Sequence, residues 1–316
     1  MSTNTENQED DDSLMTISHS DTNAIFLALD ALGVSRSQFA RLKTDGDLCQ
    51  QVATMLHSPG FAESISVTQA KKILGRKNVL GPAEIEKHFP FKVPDVPPIP
   101  FSREDLTKAK YLNQFLVLRV DQPITMQGLC GYCQAKYDNL KAGKVLYNDS
   151  WYKNEKFYTE ESPRAGWYLV SKEPITNSFG KNYLSQTQAI ADYLSDLFDE
   201  NLPDNYSQAV AEFLSKKDAL SDLMKKDWQQ AAKELSELKL NQLFRRTPVE
   251  QVYDTLLYFF ANNMRLLEEK YDWSFRLGAH GGLVDFGGCG SDGAGVDDDA
   301  PGGYRDALGV CFSRGL

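Results

Sequence analysis

Several kinds of segment are missing from this chain of 316 residues. Its longest strongly apolar run covers residues 256–261, which is far too short to span a bilayer. The N-terminus is polar and acidic, without the basic and apolar regions of a secretory signal peptide. The five cysteines are odd in number and show no disulfide framework. These absences predict a cytoplasmic protein that does not insert into membranes.

An excess of basic residues is also missing. The chain has 34 Lys and Arg against 44 Asp and Glu, which gives a net charge of −10 and an isoelectric point of about 5.0. A general nucleic-acid binder needs a basic face, and attraction to anionic lipid needs basic patches. We therefore expect neither nucleic acid nor membrane as a partner. Composition does not indicate the oligomeric state.

Catalytic motifs are equally scarce. The four histidines fall in no recognisable zinc or nucleophile pattern, and the chain has no phosphate-binding loop with its Lys and Ser or Thr. The C-terminal glycines lack the helix that should follow a dinucleotide-binding fingerprint. The consecutive acids Asp297, Asp298 and Asp299 could supply oxygen ligands to Ca²⁺, but solvated loop acids are the simpler interpretation. The sequence thus predicts no enzyme, no catalytic residue, no cofactor and no metal site.

One motif leaves an alternative open. Cys130 and Cys133 form a Cys-x-x-Cys pair, the spacing of thioredoxin-type dithiols. The pair lies about a turn inside the helix predicted over 125–140, and too far after the preceding strand for a short redox turn. Buried structural cysteines are therefore the first interpretation. A thiol-disulfide oxidoreductase that uses these two residues is the alternative.

The composition changes sharply at residue 274. Residues 274–316 contain no Lys, Glu, Gln, Met or Trp, although the preceding residues contain 22, 17, 16, 6 and 4 of them. These are the five residues that no codon ending in a pyrimidine specifies. The stretch also has 12 of the chain's 22 glycines. Replacement of adenines in Asn-type codons would produce this pattern, and a Gly-rich flexible tail is the alternative.

The same stretch, together with Trp273 just before it, contains a characteristic set of residues in a fixed order. It consists of Trp273, Arg276, Gly281-Gly282, Val284, Gly287, Gly295-Val296, Pro301, Gly309-Val310 and Phe312-Ser313-Arg314. The set resembles the C-terminal variable region of target proteins of diversity-generating retroelements. The resemblance implies a C-type lectin fold, of the subtype related to formylglycine-generating enzymes, that displays variable residues to a ligand. This ligand would be a protein or another macromolecule, of unknown identity. An enzyme on a formylglycine-generating-enzyme-like fold is a further alternative.

The expected binding surface follows from this resemblance. Random replacement is tolerated where side chains are exposed and is costly where they are buried. We therefore expect positions 277–280, 288–292, 297–299 and 302–307 to be exposed, and the apolar residues between them to be buried. The candidate ligand-binding residues are Phe275, Leu277, Ala279, His280, Asp285, Cys289, Ser291, Asp292, Asp297, Asp298, Asp299, Gly303, Tyr304, Arg305 and Asp306. The residues expected in the core are Trp273, Val284, Phe286, Val296, Val310 and Phe312.

The rest of the chain predicts an α+β protein. A disordered acidic tail (1–20) precedes a helical domain (21–92), whose first helix should end before Gly33. Five prolines within residues 90–100 indicate a linker over 93–101. A C-type-lectin-like α+β domain follows (102–316), with several helices, a small antiparallel sheet and a variable region at about 274–314. Arg245 and Arg246 are predicted to form a salt-bridged surface pair, with an anion contact as the alternative.

Regular elements are clearest in the middle of the chain. Strands are predicted at 114–120 and 166–171, where β-branched and aromatic residues cluster. Helices are predicted at 125–140, 183–198, 206–214, 218–224, 227–240 and 248–269. Ser102 and Thr247 are suited to cap helices. Aromatic side chains crowd residues 147–183, where we expect packing rather than the stacking of a sugar or base.

Overall fold

The computed structural model describes residues 22, 35–41, 44–56 and 65–315. The chain divides into two compact units, Met1–Glu63 and Ser64–Leu316. The described part of the first unit contains helices α1 (Arg36–Arg41) and α2 (Gly46–Leu56). The predicted acidic tail lies outside the described residues. So does the helix expected before Gly33, apart from Thr22.

Helices are the most numerous elements in the described part of the second unit. Their starts follow local capping chemistry: the side chains of Ser66, Ser102, Thr125 and Thr247 each accept a hydrogen bond from the first turn that follows. The helices are α3 (Val67–Leu74), α4 (Pro82–His88), α5 (Arg103–Tyr111), α6 (Met126–Leu140), α7 (Lys156–Thr159), α8 (Tyr183–Phe198), α9 (Asp204–Lys226), α10 (Trp228–Glu237), α11 (Lys239–Phe244) and α12 (Pro248–Asn262).

Two small sheets accompany these helices. The first has the strand order β1 (Val79–Leu80), β2 (Gln114–Arg119), β3 (Gly166–Ser171) and β8 (Ser313–Arg314). The second has the order β6 (Gly295–Asp299), β5 (Leu283–Gly287), β4 (Tyr271–Leu277) and β7 (Leu308–Gly309). Each sheet contains one parallel pair, β1 with β2 and β4 with β7. The protein therefore mixes helices with two mixed sheets, where the sequence predicted one antiparallel sheet.

Helix α12 connects the two sheets. It packs against β1 of the first sheet and β5 of the second, and its residues from Pro248 to Phe259 are all buried. A helix that is buried on every side forms the centre of a core rather than its cover. The helix thus fixes the position of the sheet that carries the C-terminal tract.

The Pro-rich segment belongs to the second unit. Ile99 forms a β-bridge with Ile65, and the indole Nε1 of Trp167 donates a 2.8 Å hydrogen bond to the carbonyl of Pro97. Just before this segment, β1 extends the first sheet by pairing with β2. The division between the units therefore falls about thirty residues earlier than the linker predicted over 93–101.

Candidate functional site

Residues 271–309 form the whole of the second sheet, and all but the first three of them belong to the C-terminal tract, residues 274–316. Strands β4, β5 and β6 follow one another as antiparallel neighbours, and the tract then crosses back to place β7 beside the start of β4. The six apolar residues expected to be buried are all buried: Trp273, Val284, Phe286, Val296, Val310 and Phe312. This part of the prediction is confirmed, so the apolar residues of the tract build a core.

Most of the positions expected at the surface are exposed or partly exposed. The exposed candidates are Ala279, His280, Ser291, Asp292, Asp297, Tyr304 and Asp306, and the partly exposed ones are Leu277, Asp298, Asp299, Gly303 and Arg305. They lie in the turn 278–282, the turn 288–294, strand β6 and the crossover segment 300–307. The turn 278–282 and the end of β6 lie at the same end of the sheet, because Leu283 pairs with both Leu277 and Asp299.

Two candidates lie elsewhere. Ser291 and Asp292 belong to the turn at the opposite end of the sheet, which packs against residues 143–147: the carbonyl of Ser291 accepts a 3.0 Å hydrogen bond from the amide of Lys144. The structure therefore brings most of the candidate surface together around the crossover segment. It does not bring these two residues to it.

Three candidates are buried, which corrects the prediction. Phe275 lies on β4 and Asp285 on β5, the two central strands of the sheet, and both side chains are buried. Cys289 packs near Phe259, where its amide donates to the carbonyl of Leu267 at 2.9 Å. Gly278, also expected at the surface, is buried too. Composition alone could not separate these positions from their exposed neighbours.

Asp285 marks the polar centre of the tract. It stands opposite Asp297 in the β5–β6 pairing, next to the pair formed by Leu283 and Asp299. Arg305 from the crossover segment meets all three carboxylates: it binds Asp285, and its Nη atoms lie 3.5 Å from Asp297 Oδ2 and 3.2 Å from Asp299 Oδ2. We call Asp285, Asp297 and Asp299 the aspartate pocket.

Burial has the largest effect on the pKa of Asp285. It raises the pKa of Asp285 to about 8, and the attraction of Arg305 opposes this rise without cancelling it. The charges of Asp297 and Asp299 raise the pKa further. Arg305 also lies over the ring of Tyr271, with its Cζ 4.9 Å from the ring centroid. The pocket therefore holds more negative charge than its one guanidinium neutralises.

A second polar group lies at the turn 278–282. Burial raises the pKa of Asp298, and His280 opposes this effect. A Cβ atom at Gly282 would lie 2.8 Å from the Asp298 carboxylate, so glycine is needed there for the close approach. Glu155 anchors the turn by accepting from the amide of Ala279 at 3.1 Å, and Trp151 donates to the carbonyl of Val296 at 2.8 Å. Residues 151–155 thus support the sheet at this end.

A buried ionic network lies beneath the tract. Arg246 binds Asp272 of β4 at 2.8 Å and Asp254 of α12 at 3.1 Å, while Arg119 of β2 binds Asp254 at 2.7 Å and Glu250 at 3.2 Å. All five side chains are at most 1% exposed. Burial disfavours the charged form of Glu250, yet Arg119 and Arg164 lower its pKa to about 2. The network joins both sheets through α12.

This network was not foreseen. The sequence predicted that Arg245 and Arg246 form a surface pair, but both are buried. The guanidinium of Arg245 lies 3.8 Å from the Tyr183 ring centroid and donates to Asn241 Oδ1 at 2.9 Å. Tyr183 lies 62 residues from Arg245 along the chain, and Asp272 lies 26 residues from Arg246, so no local pattern could have indicated these two partners.

The Cys-x-x-Cys pair has the environment of structural cysteines. Cys130 and Cys133 are both buried on α6. Burial raises the pKa of Cys133 to about 12 and that of Cys130 well above its usual value. A redox dithiol needs a lowered thiol pKa, because the thiolate is the nucleophile. The geometry therefore gives no support to the oxidoreductase alternative.

Comparison with known proteins adds nothing to this geometry. No family model, curated protein or solved structure matches the chain. Within the described ranges, no cluster of three or more His, Cys, Asp or Glu side chains is arranged to hold a metal ion. In the part of the chain that the structure describes, no helix is both long enough and apolar enough to cross a bilayer.

Proposed function

We propose that this protein binds a macromolecular ligand through a diversified surface built by its C-terminal tract. In this proposal the scaffold belongs to the C-type lectin type, and the chain is the variable protein of a diversity-generating retroelement. It is not an enzyme. The ligand would meet the crossover segment 300–307, the turn 278–282 and the outer side of β6.

One observation carries the proposal: the compositional change and the pattern of burial coincide. The tract contains none of the five residues that pyrimidine-ending codons cannot encode. Five of the six predicted core residues lie in the tract and are buried, the sixth is the buried Trp273 just before it, and seven candidate residues are exposed. A flexible Gly-rich tail would give neither three consecutive paired strands nor a buried apolar set. A scaffold that tolerates change needs its changing side chains outside and its constant ones inside.

The scaffold also has the rigidity that a changing surface needs. The amide of Cys311 donates a 2.7 Å hydrogen bond to Asp272 Oδ1, and Asp272 is held in turn by Arg246 and by Gln251. These contacts join Cys311, near the end of the tract, to Asp272, just before its start. Through Asp272 they connect the tract to Arg246 and Gln251, which lie outside it. Exposed side chains can therefore change without removing the contacts that position the sheet.

The first test concerns the gene. We expect its flanks to contain a near-copy of the segment that encodes residues 274–314, together with a reverse transcriptase. Alleles from related isolates should differ mainly in codons for exposed positions. The variable nucleotides in these codons should be the ones that correspond to adenines in the near-copy. Flanks with neither element would refute the proposal.

The second test concerns tolerance. One library would randomise the exposed positions Ala279, His280, Tyr304 and Asp306, and a matched library the buried positions Val284, Phe286, Val296 and Val310. Both would be expressed and sorted for protease resistance. We expect most clones of the first library and few of the second to remain folded, because buried replacements typically cost about 1–5 kcal/mol each. Equal survival of the two libraries would contradict the proposal.

A further inference from the structure

The aspartate pocket is only partly satisfied by the residue that fills it. Arg305 contacts each of the three carboxylates through its Nη atoms. Asp285 Oδ1 and Arg305 Nε are both buried, and neither has a hydrogen-bond partner among the described residues. A guanidinium that met this carboxylate through its Nε and one Nη would satisfy both atoms in a bidentate pair. Arg305 does not reach that arrangement with Asp285.

The two sides of the pocket differ in how firmly they are held. Asp285 is 0% exposed and lies on a central strand, so its carboxylate cannot leave without opening the sheet. The side chain of Arg305 is 37% exposed and belongs to the crossover segment, directly after Gly302, Gly303 and the exposed Tyr304. The guanidinium can therefore leave the pocket without breaking a strand pair, whereas the carboxylates remain.

The charge around the pocket favours a cationic replacement. Three carboxylates face one guanidinium, and burial together with Asp297 and Asp299 opposes the ionisation of Asp285. A second cationic group would lower this cost, and a better-placed one would satisfy Asp285 Oδ1. Tyr304, the residue before Arg305, is 68% exposed, and an arginine or lysine side chain of a ligand can stack on its ring.

We propose that the aspartate pocket binds a guanidinium or ammonium group carried by a basic polypeptide, and that Arg305 occupies the pocket when no ligand is present. This inference rests on the proposed function, because it assigns a ligand class to the same surface. Arg305 then acts as an internal competitor. The ligand displaces it, and the apparent affinity equals the intrinsic affinity multiplied by the fraction of molecules in which Arg305 has left the pocket.

A rescue experiment tests whether the pocket accepts a guanidinium. Among the described residues, Arg305 is the only hydrogen-bond donor to the carboxylate of Asp285. Arg305→Ala removes this donor and should lower the melting temperature by several degrees. Guanidinium chloride, at concentrations far below those that unfold proteins, should restore part of this loss. Urea and sodium chloride at the same concentrations should not.

The double variant Arg305→Ala/Asp285→Asn should melt higher than Arg305→Ala and show no rescue. If guanidinium restores no more stability than sodium chloride, or restores the double variant equally, the pocket does not bind a cation.

A binding experiment tests the class of ligand. A fluorescent hexa-arginine peptide should bind Arg305→Ala at least about tenfold more tightly than the wild type, because the internal competitor is gone. It should bind Asp297→Asn/Asp299→Asn at least about tenfold more weakly. The control is Asp218→Asn/Asp222→Asn on α9, which removes the same two charges from another exposed surface and should leave the affinity unchanged.

Three results would overturn the inference, and none of them bears on the gene-level test above. Equal weakening by the two double variants would mean that attraction to an acidic protein is non-specific. Weaker binding by Arg305→Ala would mean that Arg305 contacts the ligand instead of competing with it. Equally tight binding of L-arginine amide would mean that the ligand is a small guanidine and not a polypeptide.

Discussion

The carboxyl group of Asp285 sets a pH dependence of its own. Burial raises its pKa to about 8 in the folded state, against a reference value of 3.8. The folded protein therefore holds this proton more tightly than the unfolded chain does, and the contribution of Asp285 to stability falls as the pH rises from about 4 to about 8. Asp285→Asn removes this loss. We expect the variant to match the wild type near pH 4 and to exceed it by at least about 1 kcal/mol at pH 8, since one pKa unit corresponds to about 1.4 kcal/mol.

Urea unfolding at a series of pH values measures this difference. Asp292→Asn, a substitution in the exposed turn 288–294, is the matched control and should change the free energy of unfolding by about 0.5 kcal/mol or less. If Asp285→Asn shows a constant difference from the wild type across the range, the carboxyl group is not buried as described.

The cysteines give a second prediction at the scale of single residues. Cys49 is exposed, whereas Cys130, Cys133, Cys289 and Cys311 are buried, and burial raises the pKa of each of these four thiols. Mass spectrometry after brief treatment with iodoacetamide at neutral pH should find one modified cysteine, Cys49. Rapid modification of Cys130 in the native protein would revive the oxidoreductase alternative.

At the scale of elements, substitutions at exposed positions of the tract should change the stability far less than a substitution at the buried Trp273 beside it. Joint replacement of Ala279, His280, Tyr304 and Asp306 by Ser should keep the melting temperature within a few degrees, because these side chains are exposed and lie on turns or the crossover segment. Trp273→Ala should cost about 3–5 kcal/mol, since the indole is fully buried against the Tyr183 ring. Thermal unfolding followed by circular dichroism measures both. A large loss from the surface variant would mean that the exposed positions also carry the fold.

Elements with a strong local signal were predicted well from the sequence. The strands β2 and β3 and the helices α6 and α8 fall within a residue of their predicted bounds, because strand propensity, apolar periodicity and capping agree there. Boundaries without such a signal were missed. The helices expected at 206–214 and 218–224 are one helix, α9, and the last helix ends at Asn262 instead of 269.

The candidate site shows the same limit. Alternation along the tract predicted the buried Val284 and Phe286, but Phe275 and Asp285 are buried too. Residues far away in the chain pack against both side chains: the guanidinium of Arg164 lies 5.4 Å from the ring centroid of Phe275, and Arg305 binds Asp285. A local pattern carries no information about such contacts, which is also why the ionic network of Arg246 escaped prediction.

The extent of the second unit is testable at the scale of the whole molecule. A fragment that begins at Ser64 keeps α3, β1 and α4 and should unfold cooperatively. A fragment that begins at Phe101 loses β1 from the edge of β2 and the contact between the rings of Phe89 and Tyr253, so it should be far less stable. Circular dichroism melts of the two fragments measure this difference. A stable fragment from Phe101 would restore the boundary at the Pro-rich segment.

The ionic network gives the last prediction, because it spans both sheets. Asp254→Asn leaves Arg119 and Arg246 with less compensating charge in a fully buried site and should cost about 3–5 kcal/mol. Asp222→Asn breaks the exposed pair with Lys225 and should cost at most about 1 kcal/mol. Urea unfolding of the two single variants measures both costs. Similar losses would mean that the buried network adds nothing special to the joint between the sheets.

The position of strand β8 determines how a frameshift or an early stop in the gene would affect the protein. The strand lies beyond the second sheet along the chain, yet it pairs with β3 of the first sheet, and Arg314 forms a 2.7 Å ion pair with Asp105. A gene with a frameshift or a stop codon within the tract would encode a chain that lacks this strand, and the edge of β3 would be left unpaired. Such a chain would fold poorly and be degraded. If the gene is diversified as proposed, altered copies of it would therefore accumulate as protein only when they are read in frame through Arg314.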